Sequence, residues 1–402
     1  MKIVSIQKGK YDEYRLDAIF DGYKWDPQFY DKNTIAGHVL VITKKEADEI
    51  FSLTKKLSAE TIEAENFLNN NLKIAKALLL PKKIKPHLKK MSNYKPERNL
   101  RLMRFDFHPV VGGGYAVSEV NSDVPGGFAE SSVLPKIAIN YLGKQKYRYI
   151  NFGDILVNGI QTKVKAGGKI AIVHCTSYSD DRQVMQFLGD KLEILGYKVQ
   201  YIAGDHLKFE NKKAISVLYE NFGEVDFVFR YTPLEWLAAM KKQKAWHGYF
   251  DTVTPSCNHP VSMFAQTKRL PLIFAKLQKY GIDLSAWRAL LPETLEVKDA
   301  KNKEGFIFKP ACGRVGEGIS IKEACKKDEY QKILKDVKKH PKQYIAQKMF
   351  ISQPLTTPEG DCCHLCLGSY SVEGKPAGFY ARISRTRRID SFAEDLPVII
   401  ET

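Results

Sequence analysis

Residues 169–230 leave the fewest folds open. "KIAIVH" is a short continuous apolar run, and "DDRQVMQFLGDKLEILG" carries apolar residues at helical spacing as far as Gly196. "YKVQYI" and "VDFVFR" are two further apolar runs. Parallel strands need a crossover long enough to hold a helix, so strand, amphipathic helix and strand in this order imply a parallel α/β unit. Ser179 or Asp180 is the expected N-cap and Gly196 the stop.

The flanking segments carry other patterns. Ile50, Phe51, Leu53, Leu57, Ile62, Phe67, Leu68 and Leu72 fall near helical spacing, which predicts a long helix over 45–73. The basic, Pro-containing segment 81–96 breaks that pattern and reads as a linker or lid. "RLMRFDFHP" (101–109) and "GYAVSEVNSD" (114–123) read as two strands, the second opened by Gly112-Gly113-Gly114. Asp106 and His108 obey period two, as do Glu119 and Asn121, so each pair shares a strand face. Residues 268–280 read as a helix, and "GFIFKP" and "YIAQKMF" as strands. "CCHLCLGSYSVEGKPAGFYARI" reads as a hairpin turning at Glu373-Gly374. There are no internal repeats and no low-complexity segments.

A chain of 402 residues has length for two or three domains. Its 44% hydrophobic and 27% charged residues are those of an ordinary soluble protein, and no apolar run approaches the ~20 residues of a membrane helix. Met1-Lys2-Ile3-Val4-Ser5-Ile6 lacks the apolar centre of a signal peptide. Seven cysteines, an odd number with no export signal, imply free thiols and a cytoplasmic location. The net charge of +16 asks for an acidic partner: nucleic acid, nucleotide phosphates or a polyanionic peptide. Much of it lies in 72–104, which is either a solvated face or a binding surface, and no standard nucleic-acid motif accompanies it.

Two stretches point to chemistry. Asp106, Glu119 and Asn121 would place two carboxylates and an amide oxygen on adjacent strands, a donor set suited to Mg²⁺ shared with substrate phosphates. Arg104 shares the face of Asp106. The bland alternative is an exposed strand pair with alternating polar residues. "KPACGRVGEG" (309–318) puts Lys309 at a strand end before a glycine-rich loop. Such a loop either presents backbone N–H groups to a phosphate, with Lys and Arg as countercharge, or forms a tight surface hairpin. Neither GxxxxGK[ST] nor GxGxxG occurs, so a nucleotide would be gripped by sheet and loop rather than by a helix N-terminus. "DCCHLC" (361–366) has CxxC spacing but no second ligand pair, which favours ordinary strand cysteines. Cys312 has no partner His close in sequence and reads as a small filler; His108 reads as a structural imidazole.

Together these stretches resemble one family. "RFDF…AVSEVNSDVPGGFAES" resembles the "RFD…EYNADTP" stretch of glutathionylspermidine synthases, and "FRYTPLEWL" (229–237) their "KLYPWEWL". "FIFKPACGRVGEGISI" resembles their nucleotide loop and "GSYSVEGKPAGFYARIS" their penultimate hairpin. The matches keep their order from about 101 to 384. The resemblance implies an α/β (α+β) chain, with a circularly permuted ATP-grasp fold beside a Rossmann-like pre-ATP-grasp domain. It divides the chain into an N-terminal region (1–167) carrying the metal-binding strands, a Rossmann-like domain (168–252) and a nucleotide-binding region (253–402). It implies ATP, two Mg²⁺ ions and an ATP-dependent ligase that joins a carboxylate to an amine through an acyl phosphate. By resemblance, Asp106, Glu119 and Asn121 are magnesium ligands, and Lys309 and Lys268 are nucleotide lysines. Gly313, Gly316 and Gly318 let the loop approach the nucleotide, and Gln347 lies in the strand bordering the adenine. Arg104 and Arg382 contact the transferred phosphate and the reacting carboxyl.

The chain also departs from the pattern. Gly126-Gly127 stands where the family has a Thr-Ser pair, and Asp180-Asp181 replaces a Glu-Asp pair. That acidic pair either caps the helix or binds an amine. No amidase domain precedes the synthetase region. Neither glutathione nor spermidine is therefore the expected substrate, and the carboxylate is expected to be a peptide or amino acid other than glutathione. A basic nucleic-acid-binding protein and a non-catalytic ATP-grasp protein are the competing readings, the first marked by steep salt dependence.

Overall fold

The computed structural model describes residues 1–143, 147–240, 245–300 and 304–401. In chain order the elements that position the site begin with β1 (Lys2–Ser5), β2 (His38–Ile42), α1 (Lys44–Asn70), β3 (Leu102–Pro109) and β4 (Tyr115–Asn121). Then come α2 (Phe152–Gln161), β5 (Lys169–Val173), α3 (Ser179–Ile194), β6 (Lys198–Ile202), β7 (Phe227–Arg230), α4 (Leu234–Ala239) and β8 (Ser256–Cys257). The C-terminal part holds β9 (Phe306–Pro310), β10 (Tyr344–Lys348), β11 (Cys362–Val372), β12 (Lys375–Ser384), β13 (Glu394–Leu396) and β14 (Val398–Glu401).

The main sheet runs β13-β12-β11-β3-β4, all antiparallel. The 101–123 strands are thus zipped onto a hairpin some 260 residues later, with Gly368 opposite Asp106 and Tyr370 opposite Arg104. The hairpin turns at Glu373 (φ +52) and Gly374 (φ +78), the left-handed pair of a tight two-residue turn. α1 begins with a capping box, in which Thr43 accepts from the Glu46 N–H and Glu46 accepts from the Thr43 N–H. Ile50, Leu57, Ala64 and Leu68 bury one face of it on the sheet. Thr54 and Ser58 reach Ser369 and Ser371 at 2.8 Å, alternate residues of β11, which pins helix to sheet. β2 lies between β1 and β14, tying the two ends of the described chain together.

The second sheet, β8-β7-β5-β6, is parallel throughout, as the strand–helix–strand pattern requires. From β5 the chain moves to β6 on one side and then returns to β7 on the other. The C-terminal ends of β5 and β7 therefore flank a topological switch point, where open α/β sheets bind ligands. A third sheet pairs β10 with β9 and with the short strand Thr294–Leu295.

Three local expectations are corrected. Segment 81–96 is neither linker nor lid: Pro81 starts short turns, a 3₁₀ helix covers Lys85–Asn93, and Ile84, Leu88 and Met91 are buried in the core. Segment 268–280 is helical only from Leu270, as a 3₁₀ turn and then a short α-helix, Phe274–Gln278. Lys268 spends its backbone N–H on the Ala311 carbonyl instead. The N-cap of α3 is Tyr178, with no side-chain capping bond.

Candidate active site

Asp106 and Glu119 are directly opposed across β3 and β4, and Arg104 is opposed to Asn121. Like charges facing across a strand pair are destabilising unless counterions are supplied. The fold supplies them from inside. Arg104 grips Asp106 with both ends of its guanidinium (Nε–Oδ1 2.8 Å, Nη2–Oδ2 3.1 Å), and Asn121 Nδ2 donates to Oδ2 at 3.0 Å. Lys268 Nζ lies 2.7 Å from Glu119 Oε2. Burial pushes the Glu119 carboxyl up, but Lys268, then Lys309 and Arg104, override it and hold it down at about 2. β3 is buried and β4 half-buried, so the pair is not the exposed polar alternation that its pattern also allowed.

The register slips between Asp106 and Phe107, where Ser118 is the extra residue. Its hydroxyl sits 3.0 Å from His108 Nε2, while His108 Nδ1 donates to the Leu365 carbonyl at 3.0 Å. Burial holds this imidazole down at about 4, so it is neutral and structural.

β9 delivers Lys309 beside this pair, almost wholly buried. Burial lowers its ammonium to about 8, with Glu119 opposing and Lys268 adding to the fall. The glycine loop follows. Lys268 Nζ donates to the Gly313 carbonyl at 2.7 Å, so one lysine bridges the loop and the carboxylate strand. Gly316 has φ +68, and a Cβ there would lie 2.7 Å from the Ile389 carbonyl, so the loop packs against the segment after β12 only because it carries glycine. Arg314 reaches across to α4, 3.2 Å from Glu235 and 5.6 Å from the Trp236 ring.

One open cleft gathers these groups. Asp106, Glu119, Lys268, Lys309, Gly313, Gly316, Gln347 and Arg382 line it. Arg104 and Asn121 stand behind, bonded to Asp106, and Gly318 packs on Pro310. Gln347 donates to Thr294 Oγ1 at 3.0 Å. Arg387 and Arg388 also line the cleft and were missed in the sequence, although the run "SRTRRID" carried the signal. Arg388 is fixed by Asp390 and Glu329, and Arg382 donates to the Asp390 carbonyl at 3.2 Å.

Behind Arg104 is a buried ionic cluster. Arg104 lies over the Tyr380 ring at 4.8 Å, and the Tyr380 hydroxyl donates to Asp395 Oδ1 at 2.7 Å. Asp395 Oδ2 and Glu130 Oε1 both hold the buried Lys24 ammonium, at 2.7 and 3.1 Å. The acidic pair at the start of α3 faces the same group of residues. Asp180 accepts from the Gln183 side chain at 2.9 Å and feels Lys24, Asp395, Asp26 and Arg382. Burial, with Asp180 beside it, pushes the Asp181 carboxyl up to about 7. The pair therefore does not cap its helix by side-chain bonds. Nothing in the sequence between 20 and 30 signalled Lys24.

Among the described residues no three His, Cys, Asp or Glu side chains are grouped to hold a metal ion. Two carboxylates and an amide oxygen fit a hard cation that draws its other ligands from phosphate and water. In "DCCHLC", Cys363 and Cys366 lie an odd number of residues apart on β11, on opposite faces, and all seven cysteines are free. Burial pushes the Cys312 thiol up to about 11, against a nucleophilic role. Among the described residues no helix is long and apolar enough to cross a membrane.

No curated protein sequence matches this chain. Among solved structures it resembles a glutathione synthetase-like effector (GSS30) from Globodera pallida, with a TM-score of 0.65 and 13% identity over 96% of each chain. That similarity shows a shared glutathione synthetase-like ATP-grasp fold. A putative gamma-glutamylcysteine synthetase from Methylobacillus flagellatus matches at a TM-score of 0.44 and 12% identity, over 84% of this chain and 87% of that one. The family model described as glutathionylspermidine synthase preATP-grasp matches residues 10–401. With nearly its whole length matched, the chain belongs to the glutathionylspermidine synthase pre-ATP-grasp family.

Proposed function

We propose that this protein is an ATP-dependent carboxylate–amine ligase acting on a peptide or amino-acid carboxylate. The observation that carries the reading is the convergence, in one cleft, of an opposed carboxylate pair, two lysines, a glycine loop and Arg382 from four separate stretches of chain. The family membership supports the same class of chemistry.

A carboxylate is a poor acyl donor. Its oxygen takes the terminal phosphoryl group of ATP, ADP leaves, and the amine nitrogen then attacks the acyl carbon as phosphate departs. The reacting groups before the amine are anions, so the protein's task is positioning and charge neutralisation. Lys309 and Lys268 meet the phosphates, and the loop from Gly313 to Gly318 covers them. Arg382 and Arg104 stabilise charge on the phosphoryl group and then on the tetrahedral adduct. Asp106, Glu119 and Asn121 would hold Mg²⁺, which supplies further neutralisation of phosphate charge when bound. The Asp180–Asp181 pair, acidic and within the electrostatic reach of Arg382, draws in a cationic amine. A closed glycine loop keeps water from the activated acyl group.

The test is ADP formation with Mg²⁺ across a panel of peptide carboxylates and amines, beside Asp106→Asn and Lys309→Ala. Turnover that needs both a carboxylate and an amine, and is lost in both variants, is the expected result. ATP failing to bind at millimolar Mg²⁺ would sink the proposal.

A further inference from the structure

A second pocket lies apart from the cleft and shares no lining residue with it. Three stretches of chain build it: the segment 94–99 at the end of the basic run, Lys212, and the segment 250–255 with His259. They are fastened to one another. The hairpin of strands Leu207–Glu210 and Lys213–Ser216 turns at Asn211 and Lys212, both left-handed (φ +50 and +63). The Lys212 carbonyl accepts from the Val253 N–H at 2.7 Å and from Thr252 Oγ1 at 2.8 Å. Asn99 Oδ1 accepts from the Ser256 N–H at 3.0 Å and from its hydroxyl at 3.2 Å. The Tyr94 ring stacks on His259, with centroids 4.4 Å apart. The walls are therefore set before a ligand arrives, which lowers the ordering cost of binding.

The frame is satisfied internally, but its charges are left over. Lys95, Arg98 and Lys212 line the pocket with exposed side chains. Among the described residues none of the three makes an ion pair or a side-chain hydrogen bond. Asp251 is the one carboxylate among the lining residues. His259 Nδ1 accepts from the Val261 N–H at 3.2 Å, and burial holds the imidazole down at about 3, so the ring is neutral with its proton on Nε2. Three cations against one carboxylate leave two positive charges beside the rings of Tyr94 and Phe250. Cations gathered without counterions repel one another. A phosphate monoester carries close to two negative charges at neutral pH and cancels that repulsion. Arg and Lys meet phosphate oxygens through charge-assisted hydrogen bonds. The rings offer an apolar wall to the face of a sugar, while Asp251 and the His259 Nε2–H supply an acceptor and a donor for its hydroxyls.

We propose that this pocket is a second ligand site, which takes a phosphate monoester carried on a sugar ring. Lys95 and Arg98 of the basic run thus belong to a bounded site, whereas Lys89 of the same run is exposed and lies outside it. Sugar phosphates and nucleoside monophosphates share this chemistry. The proposal is independent of the ligase reading.

Calorimetric titration with ribose 5-phosphate, AMP, inorganic phosphate and ribose tests it, in wild type, Arg98→Ala, Lys212→Ala, Lys89→Ala and Lys309→Ala. Arg98, Lys212 and Lys89 are exposed, so their variants are expected to melt as wild type does. Ribose 5-phosphate is expected to bind wild type at least about tenfold more tightly than inorganic phosphate or ribose. Arg98→Ala and Lys212→Ala are each expected to weaken it by about tenfold, the scale of one charge-assisted hydrogen bond. Lys89→Ala and Lys309→Ala are expected to leave it unchanged. AMP, titrated in the Lys309→Ala background where the cleft is impaired, separates the sources: a nucleotide site binds it more tightly than ribose 5-phosphate, and a sugar-phosphate site no more tightly. No binding of either ester overturns the proposal, and so does inorganic phosphate matching ribose 5-phosphate. A loss in Lys309→Ala but not in Arg98→Ala would assign the binding to the cleft instead. An equal loss in Lys89→Ala would assign it to the diffuse charge of the whole face. A single-stranded RNA oligomer binding more tightly than either ester, with a steep salt slope, overturns the proposal in favour of nucleic acid.

Discussion

Gly368→Ala tests the placement of Arg104 without replacing any charged residue. Gly368 lies opposite Asp106 in the sheet, and its backbone is outside the left-handed region, so alanine brings no backbone strain. What alanine adds is one methyl group, whose carbon would sit 2.6 Å from Arg104 Cδ and 2.9 Å from Nε. The arginine must retreat by roughly 0.8 Å to restore an ordinary contact near 3.4 Å. That retreat breaks the two bonds of 2.8 and 3.1 Å that hold Asp106. Overpacking a tight site costs about 1–3 kcal/mol, which urea unfolding measures. Misplacing a catalytic group by about 1 Å costs about 100-fold in rate, so ligase turnover is expected to fall by that order with KM for ATP little changed. The control is a double-mutant cycle. In an Arg104→Ala background the added methyl has nothing to displace, and Gly368→Ala should cost no further activity. Full activity of the single variant, or the same loss in the Arg104→Ala background, would refute the placement.

The other expectations are simpler. Arg230→Met leaves Asp123 buried and unpaired at a site where both side chains are fully enclosed, and should cost about 3–5 kcal/mol in urea unfolding, much of it recovered by adding Asp123→Leu. Lys309, with its ammonium at about 8, is charged below that pH and neutral above it. ATP affinity by calorimetry should therefore fall as pH rises from 7 to 9.5, and Lys309→Arg should flatten the profile. Asp181 ionises near 7 in the folded chain and near 3.9 when unfolded, so it subtracts stability as pH rises between those values; Asp181→Asn should reduce that slope in pH-dependent melting. Arg314→Ala frees the glycine loop from Glu235 and Trp236 and should speed proteolytic cleavage within 311–318, with ATP restoring protection.

The sequence by itself determined the elements whose physics is local. The period-two strands at 101–109 and 114–123, the long helix after Thr43, the strand–helix–strand unit and the Glu373-Gly374 turn all follow from side-chain alternation, helical spacing and turn chemistry between near neighbours. The pairing of Asp106 with Glu119 was legible for the same reason, because a hairpin joins their strands. Only the tertiary structure decided what depends on distant partners. Leu88 and Met91 turn a Pro-broken basic segment into docked core. The Ala311 carbonyl takes the backbone N–H of Lys268 and delays the helix that its spacing suggested. Lys24, Glu130, Asp180 and Asp395 come from four separate stretches of chain with no shared period, so nothing local could announce the ionic cluster they form. Charge separated widely along a chain becomes a site only when burial removes the water that would have screened it.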